Sequence, residues 1–165
     1  MIHTPRVLDI KEKTVLVRVD FNVPLKKIVR NGNTKYVVSD DQRIRSALET
    51  ILFLREHGAK IILMSHLGRP DGQVVKKFSL EPVAFYLKHN LGLDVQFATD
   101  CIGEKVTEKT VKLKSGDILL LENLRFHEEE ETNNTAFAKK SLKTLKQKFL
   151  LTKLSLLLTE LTLLL

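Results

Sequence analysis

From residue 14 to residue 121 the chain alternates short aliphatic runs with longer segments whose apolar residues recur every three or four positions. "TVLVRV", residues 14–19, is rich in β-branched residues and reads as a strand. In "DDQRIRSALETILFLREHG", residues 40–58, Ile44, Leu48, Ile51, Leu52 and Leu54 fall at helical spacing. Asp40 or Asp41 can cap its start, and Gly58 stands where a left-handed residue would end it. "AKIILM", residues 59–64, is the next strand; Ser79 then caps a helix in "LEPVAFYLKHNLG" that stops at Gly92. A short strand follows around "DVQF", and a helix is predicted over 103–113. "SGDILLLENLRF" supplies a turn and an apolar strand, 118–121, of the kind covered on both faces in a parallel sheet. The order β-α-β-α-β-α-β predicts an α/β fold, a doubly wound, Rossmann-like parallel sheet with right-handed crossovers. "KKIVRNGNTKYVVSD" is long for a connection, and its Asn31-Gly32 pair predicts a small surface hairpin. "HEEEETNN" reads as an acidic, solvated loop.

Ligands in such folds bind outside the carboxyl ends of the strands. Here those ends are "DFNVP" at 20–24, "SHLGRP" at 65–70 and "ENLRFH" at 122–127. Arg43, Arg69, Arg125 and His66 would form a cationic basin, because guanidinium forks hold phosphate or carboxylate bidentately. Asp20 and Asn22 add an acceptor and an amide that could orient a hydroxyl. The predicted pocket suits a phosphosugar or phosphoacid. Gly68 and Pro70 would shape the turn that brings the loop near its ligand. Plainer readings compete: Asp20 as a turn former, His66 as a core histidine, Arg45 instead of Arg43 as the inward arginine, and Arg125 paired with the acidic loop. Neither G-x-x-x-x-G-K-S/T nor G-x-G-x-x-G occurs, so no common nucleotide cradle is predicted, and no metal cluster either.

Composition narrows the partners. At 165 residues, 43% hydrophobic and 28% charged, the chain has material for one globular domain. Cys101 is the one cysteine, which excludes an internal disulfide, points to a reducing and therefore cytoplasmic setting, and reads as a small buried hydrophobe. No signal-like apolar stretch opens the chain and no interior segment is long enough to span a bilayer. The net charge of +7 suits an anionic partner; with aromatics at 6% and no stacking motif, nucleic acid is not expected.

"LVRVDFNVPL", "DDQRIRSALETI", "GAKIILMSHLGRPDG", "FSLEPVA", "DCIGEKV" and "GDILLLENLRFHEEEETNN" resemble, in this order, the N-terminal domain of the phosphoglycerate kinase family. The resemblance runs over roughly residues 7–140. It implies the incomplete N-terminal domain of a two-domain glycolytic kinase, usually monomeric, that moves a phosphoryl group between 1,3-bisphosphoglycerate and ADP. Asp20 and Asn22 would then fix the substrate's hydroxyl and carboxyl end, and His66, Arg69 and Arg125 would hold its non-transferred phosphate. Phe21, Leu67 and Gly68, which stand within the same motifs, are implied to be substrate-binding as well. Arg43 would face the phosphoryl in flight as the catalytic cation, replacing water around its equatorial oxygens. The family's Mg-ADP or Mg-ATP is bound by a C-terminal domain with no counterpart here, so this chain is expected to bind 3-phosphoglycerate or 1,3-bisphosphoglycerate and to be inactive alone. A stand-alone phosphometabolite-binding domain is the alternative.

After "FAKK", at 137–140, the resemblance stops, and 141–165 form a leucine- and lysine-rich tail unlike the family. Taken as a helix, the tail places Leu150, Leu154, Leu157, Leu161 and Leu164 on one face behind a run of lysines, as in a membrane-surface helix or a dimer seam. A frameshift fits better. The family-like peptide AEIFVNEAFATAHRAH, suitably encoded and read one base late, gives QKFLLTKLSLLLTELT, which is residues 147–162. On that reading, strands completing the sheet are lost and the tail covers or sticks to the exposed edge. Translation of the gene in all three frames decides between the two.

Overall fold

The computed structural model describes residues 10–132, 135, 149–153 and 161–164. Four parallel strands form the centre of the sheet: β1 (Thr14–Arg18), β4 (Lys60–Met64), β5 (Val95–Phe97) and β6 (Ile118–Leu120), in spatial order β5-β6-β4-β1. The chain steps from β1 to its neighbour β4, skips a position to β5, and returns to fill the gap with β6. Crossovers run through α1 (Gln42–Glu56), α2 (Glu81–Asn90) and α3 (Glu104–Lys112). The hairpin of β2 (Leu25–Arg30) and β3 (Asn33–Val38) stands apart as its own two-stranded sheet. Its turn is Asn31-Gly32, both with positive φ (50° and 77°), which the asparagine-glycine pair tolerates.

Strand alternation decides which face each helix covers. Val15, Val17, Ile61, Leu63, Ile118 and Leu120 pack with Ile44, Ala47, Ile51 and Leu54 of α1 and Val83, Ala84 and Leu87 of α2. Their alternate neighbours Leu16, Ile62 and Leu119 pack with Val106 of α3, Leu113 and Cys101 on the other side. The sheet is therefore covered on both faces, as the near-continuous apolar strands predict. Leu52 departs from the predicted apolar stripe: it is exposed, and Ala47 takes the buried position instead. The start of α1 uses Asp40, whose carboxylate accepts from the Gln42 amide at 2.9 Å, while Asp41 turns away to accept from Tyr86 Oη and Arg45. Gly58 ends the helix with φ +73°.

Beyond β1 the sheet continues. β7 (Phe149–Lys153) pairs with β1 in parallel, from Thr14 opposite Phe149 to Arg18 opposite Lys153, and β8 (Leu161–Leu164) pairs with β7 antiparallel. This corrects the helical reading of the tail for those nine positions: Leu150, Leu161 and Leu164 lie in strands, because the open edge of β1 offers a ladder that an isolated Thr- and Leu-rich helix lacks. Leu154 and Leu157 lie outside the described residues. Among the described residues no helix is long and apolar enough to cross a membrane.

Candidate functional site

The carboxyl ends of β1, β4 and β6 lie side by side, and the loops that leave them are stitched together by side chains. Ser65 Oγ accepts from the Phe21 amide at 2.9 Å, and Asn22 Oδ1 accepts from the Gly68 amide at 2.9 Å, joining the first loop to the second. Asn123, almost wholly buried, joins the second to the third: its Oδ1 accepts from the amides of Leu67 and Arg125, each at 3.1 Å, and its Nδ2 donates to the carbonyls of Leu67 and Phe78 at 2.7 and 2.9 Å. Beside it the buried Glu122 carboxylate accepts from Leu80 N and Asn123 N, both at 2.8 Å, and from Ser79 Oγ at 2.7 Å. A buried charge is tolerable when charge-assisted donors surround it, and here those donors include the amide of Leu80, the N-cap residue of α2.

Gly68 has φ +63°, and a Cβ there would fall 2.4 Å from Phe78 Cε1, so only glycine fits this bend. The bend presents the Gly68 carbonyl to Arg125 Nη1 at 3.0 Å, which fixes that guanidinium beside the loop. Arg18, from the end of β1, reaches the same region. Between them lies Glu130 of the single-turn helix α4 (Glu128–Glu131): its Oε1 is 2.8 Å from Arg18 Nη2 and its Oε2 3.6 Å from Arg125 Nε. His66 is half-buried in the same cluster. Burial pushes its pKa below the ordinary 6.5, the guanidiniums of Arg125 and Arg18 push it further, and Asp20 and Glu130 pull it partly back.

The sequence-predicted residues thus fall into four groups. His66, Gly68 and Arg125 come together with Asn22 at one edge. Asp20 and Arg43 form an ion pair with each other at the exposed rim, each side chain about half exposed. Arg69 is exposed on the β4 loop. Phe21 and Leu67 bury their side chains in the core, at 0% and 3% exposure, and spend their amides on Ser65 and Asn123, which holds the loops together. The acidic stretch departs from its prediction as a solvated loop, since Glu130 turns inward to the two arginines while Glu128 and Glu129 stay exposed.

Sequence reasoning missed Arg18, Glu122 and Asn123; it offered a pairing of Arg125 with the acidic loop, which Glu130 makes, without singling that residue out. Arg18 carried a signal, being a cation at the end of an otherwise apolar strand; Glu130 carried none among four consecutive glutamates. Asp100, Cys101 and His127 also bring three ligand-type atoms within 4.8 Å of one another. There Asp100 Oδ1 already accepts from His127 Nε2 at 2.8 Å and from the Cys101 amide at 2.6 Å, and burial pushes the Cys101 thiol up to about 12. The cluster is organised as a tied turn before α3.

A family model described as phosphoglycerate kinase matches residues 6–150. Among curated relatives, the phosphoglycerate kinase of Borreliella burgdorferi strain ZS7 is 55% identical over 128 residues, 78% of this chain and 30% of that protein. That of Dictyoglomus turgidum is 54% identical over 132 residues, 80% of this chain and 31% of its own length. Among solved structures, phosphoglycerate kinase from Coxiella burnetii superposes with a TM-score of 0.68 at 35% identity, covering 89% of this chain and 34% of that one. The Pyrococcus horikoshii OT3 enzyme gives 0.65 at 33% identity, with 82% of this chain and 33% of that one covered. The chain spans about a third of the length of the relatives it matches.

Proposed function

The chain belongs to the phosphoglycerate kinase family, and from that premise we propose that its strand-end basin binds 3-phosphoglycerate or the matching end of 1,3-bisphosphoglycerate. The single observation that carries the reading is the convergence of Arg125, Arg18 and His66 on one loop edge that Gly68 and Asn22 shape. A phosphate there would gain charge-assisted hydrogen bonds from the guanidiniums, and its charge would favour the imidazolium form of His66. Asn22 uses its oxygen on Gly68 and keeps its amide nitrogen as a donor for a ligand oxygen. Asp20, released from Arg43, would accept from the glycerate hydroxyl. Arg69 would close over the phosphate from the exposed side. Arg43 would then be the cation facing the transferred phosphoryl, where it stabilises charge that develops in flight.

Enzymes of this family use a magnesium nucleotide, and the residues at this edge do not fit one. The edge is cationic, the rim carboxylate of Asp20 is paired with Arg43 and that of Glu130 with Arg18, and no glycine-rich phosphate loop occurs in the sequence. No step is therefore assigned to nucleotide, and these 165 residues are expected to bind the glycerate without turning it over. Calorimetric titration of the chain with 3-phosphoglycerate, beside a coupled assay with Mg-ATP, tests both statements. Saturable binding without turnover is expected; turnover, or heat no different from buffer, would contradict it.

A further inference from the structure

Glu130 is the odd member of the basin, a carboxylate among cations where an anionic ligand is to bind. Its neighbours Glu128 and Glu129 are exposed, whereas its own side chain is 14% exposed and directed at Arg18 and Arg125. The two oxygens are divided between the two guanidiniums, at 2.8 Å to Arg18 and 3.6 Å to Arg125. The short helix that carries it has His127 as its N-cap, whose carbonyl accepts from the Glu130 amide at 3.1 Å.

We propose that Glu130 is a built-in occupant of the anion basin, a carboxylate that pairs with Arg18 and Arg125 while the site is empty and must be displaced by an incoming phosphate. The inference rests on the reading of the basin as a phosphate site. Without Glu130, two guanidiniums and an imidazole would face one another across the loop edge and repel, so the carboxylate keeps them assembled. A phosphate carrying close to two charges cannot share that space with a carboxylate, because like charges at a partly desolvated site repel strongly. Its oxygens therefore take over the guanidinium forks and α4 gives way. The exchange favours a phosphate over a singly charged carboxylate, which would only replace one weak acceptor with another; selectivity for the phosphorylated end of the ligand follows.

The test titrates the whole chain and its Glu130→Gln variant with inorganic phosphate and, separately, with 3-phosphoglycerate, following backbone amide resonances. Glu129→Gln serves as the control, making the same change in net charge at an exposed position. E130Q is expected to bind phosphate about fivefold tighter or better than the wild type, with E129Q within about twofold of it, in line with the loss of one partly buried ion-pair competitor. Equal binding by E130Q and E129Q, weaker binding by E130Q, or no saturable binding by E130Q would overturn the proposal. If 3-phosphoglycerate binds no tighter than phosphate in any of the three proteins, the glycerate reading fails while the phosphate comparison still decides the role of Glu130. Should E130Q not stay folded, Glu130→Asp, which withdraws the charge by one methylene, carries the same comparison with the same expected sign.

Discussion

At Gly68 a single added methyl group would reach the ring of Phe78, and the backbone there already sits in the left-handed region. Gly68→Ala should therefore cost about 2–4 kcal/mol in urea denaturation, from backbone strain and overpacking together. A loss under about half a kcal/mol would show that the Phe78 ring yields freely. His66 offers a test by pH. Its folded pKa lies below the ordinary 6.5, so between the two values the unfolded chain holds more protons and stability rises with pH. The domain should lose stability as the pH falls through that window and be unaffected by this group above it. The ring resonances of His66 should titrate below 6.5 in the free chain and shift upward when 3-phosphoglycerate is bound; titration at or above 6.5 in the free chain would contradict the burial that sets it. Cys101, buried and with its thiol pushed up to about 12, should react with a thiol reagent at neutral pH only as fast as the domain opens.

The elements themselves were legible where one physical signal dominates. Caps and apolar period located α1 and α2, and the apolar runs located the central strands, since a strand covered on both faces can only be apolar and a helix must begin and end somewhere; α3 was placed without a cap. Asn31-Gly32 announced the hairpin for the same local reason. What the sequence could not show was the tertiary choice between equivalent residues. Leu52 and Ala47 lie on adjacent stripes of α1 and only the packed sheet decides which is buried; Glu130 differs from its glutamate neighbours only in where α4 points it. Glu122 shows the energetic weight of such a choice, since its carboxylate satisfies two backbone amides and the Ser79 hydroxyl that together anchor α2 to the end of β6. Glu122→Ala should cost roughly 3–5 kcal/mol by thermal or urea unfolding, because it strands those donors in a buried place. Unchanged stability would mean that water reaches them. At the far edge, amides of β7 should exchange more slowly than those of an unpaired segment if the ladder to β1 holds in solution; exchange at unpaired rates would contradict it.

On the scale of the whole chain, the sheet serves to deliver three loop ends to one place. Each strand end contributes a piece that is inadequate alone: Arg18 at the end of β1 and Asn22 after it, His66 after β4, and Asn123 and Arg125 after β6 could each be structural anywhere else. The proposed ligand comes from the family, and the geometry shows how the ends are tied by Ser65, Asn22 and Asn123. The measurement that bears most directly on this account is a residue-resolved amide shift map of the 165-residue chain titrated with 3-phosphoglycerate. The expected result is one saturable set of shifts confined to the loops around Asn22, His66, Gly68 and Arg125. Shifts that do not saturate, or that gather on the lysines of α3 instead, would contradict the assignment of this edge as the phosphoglycerate site.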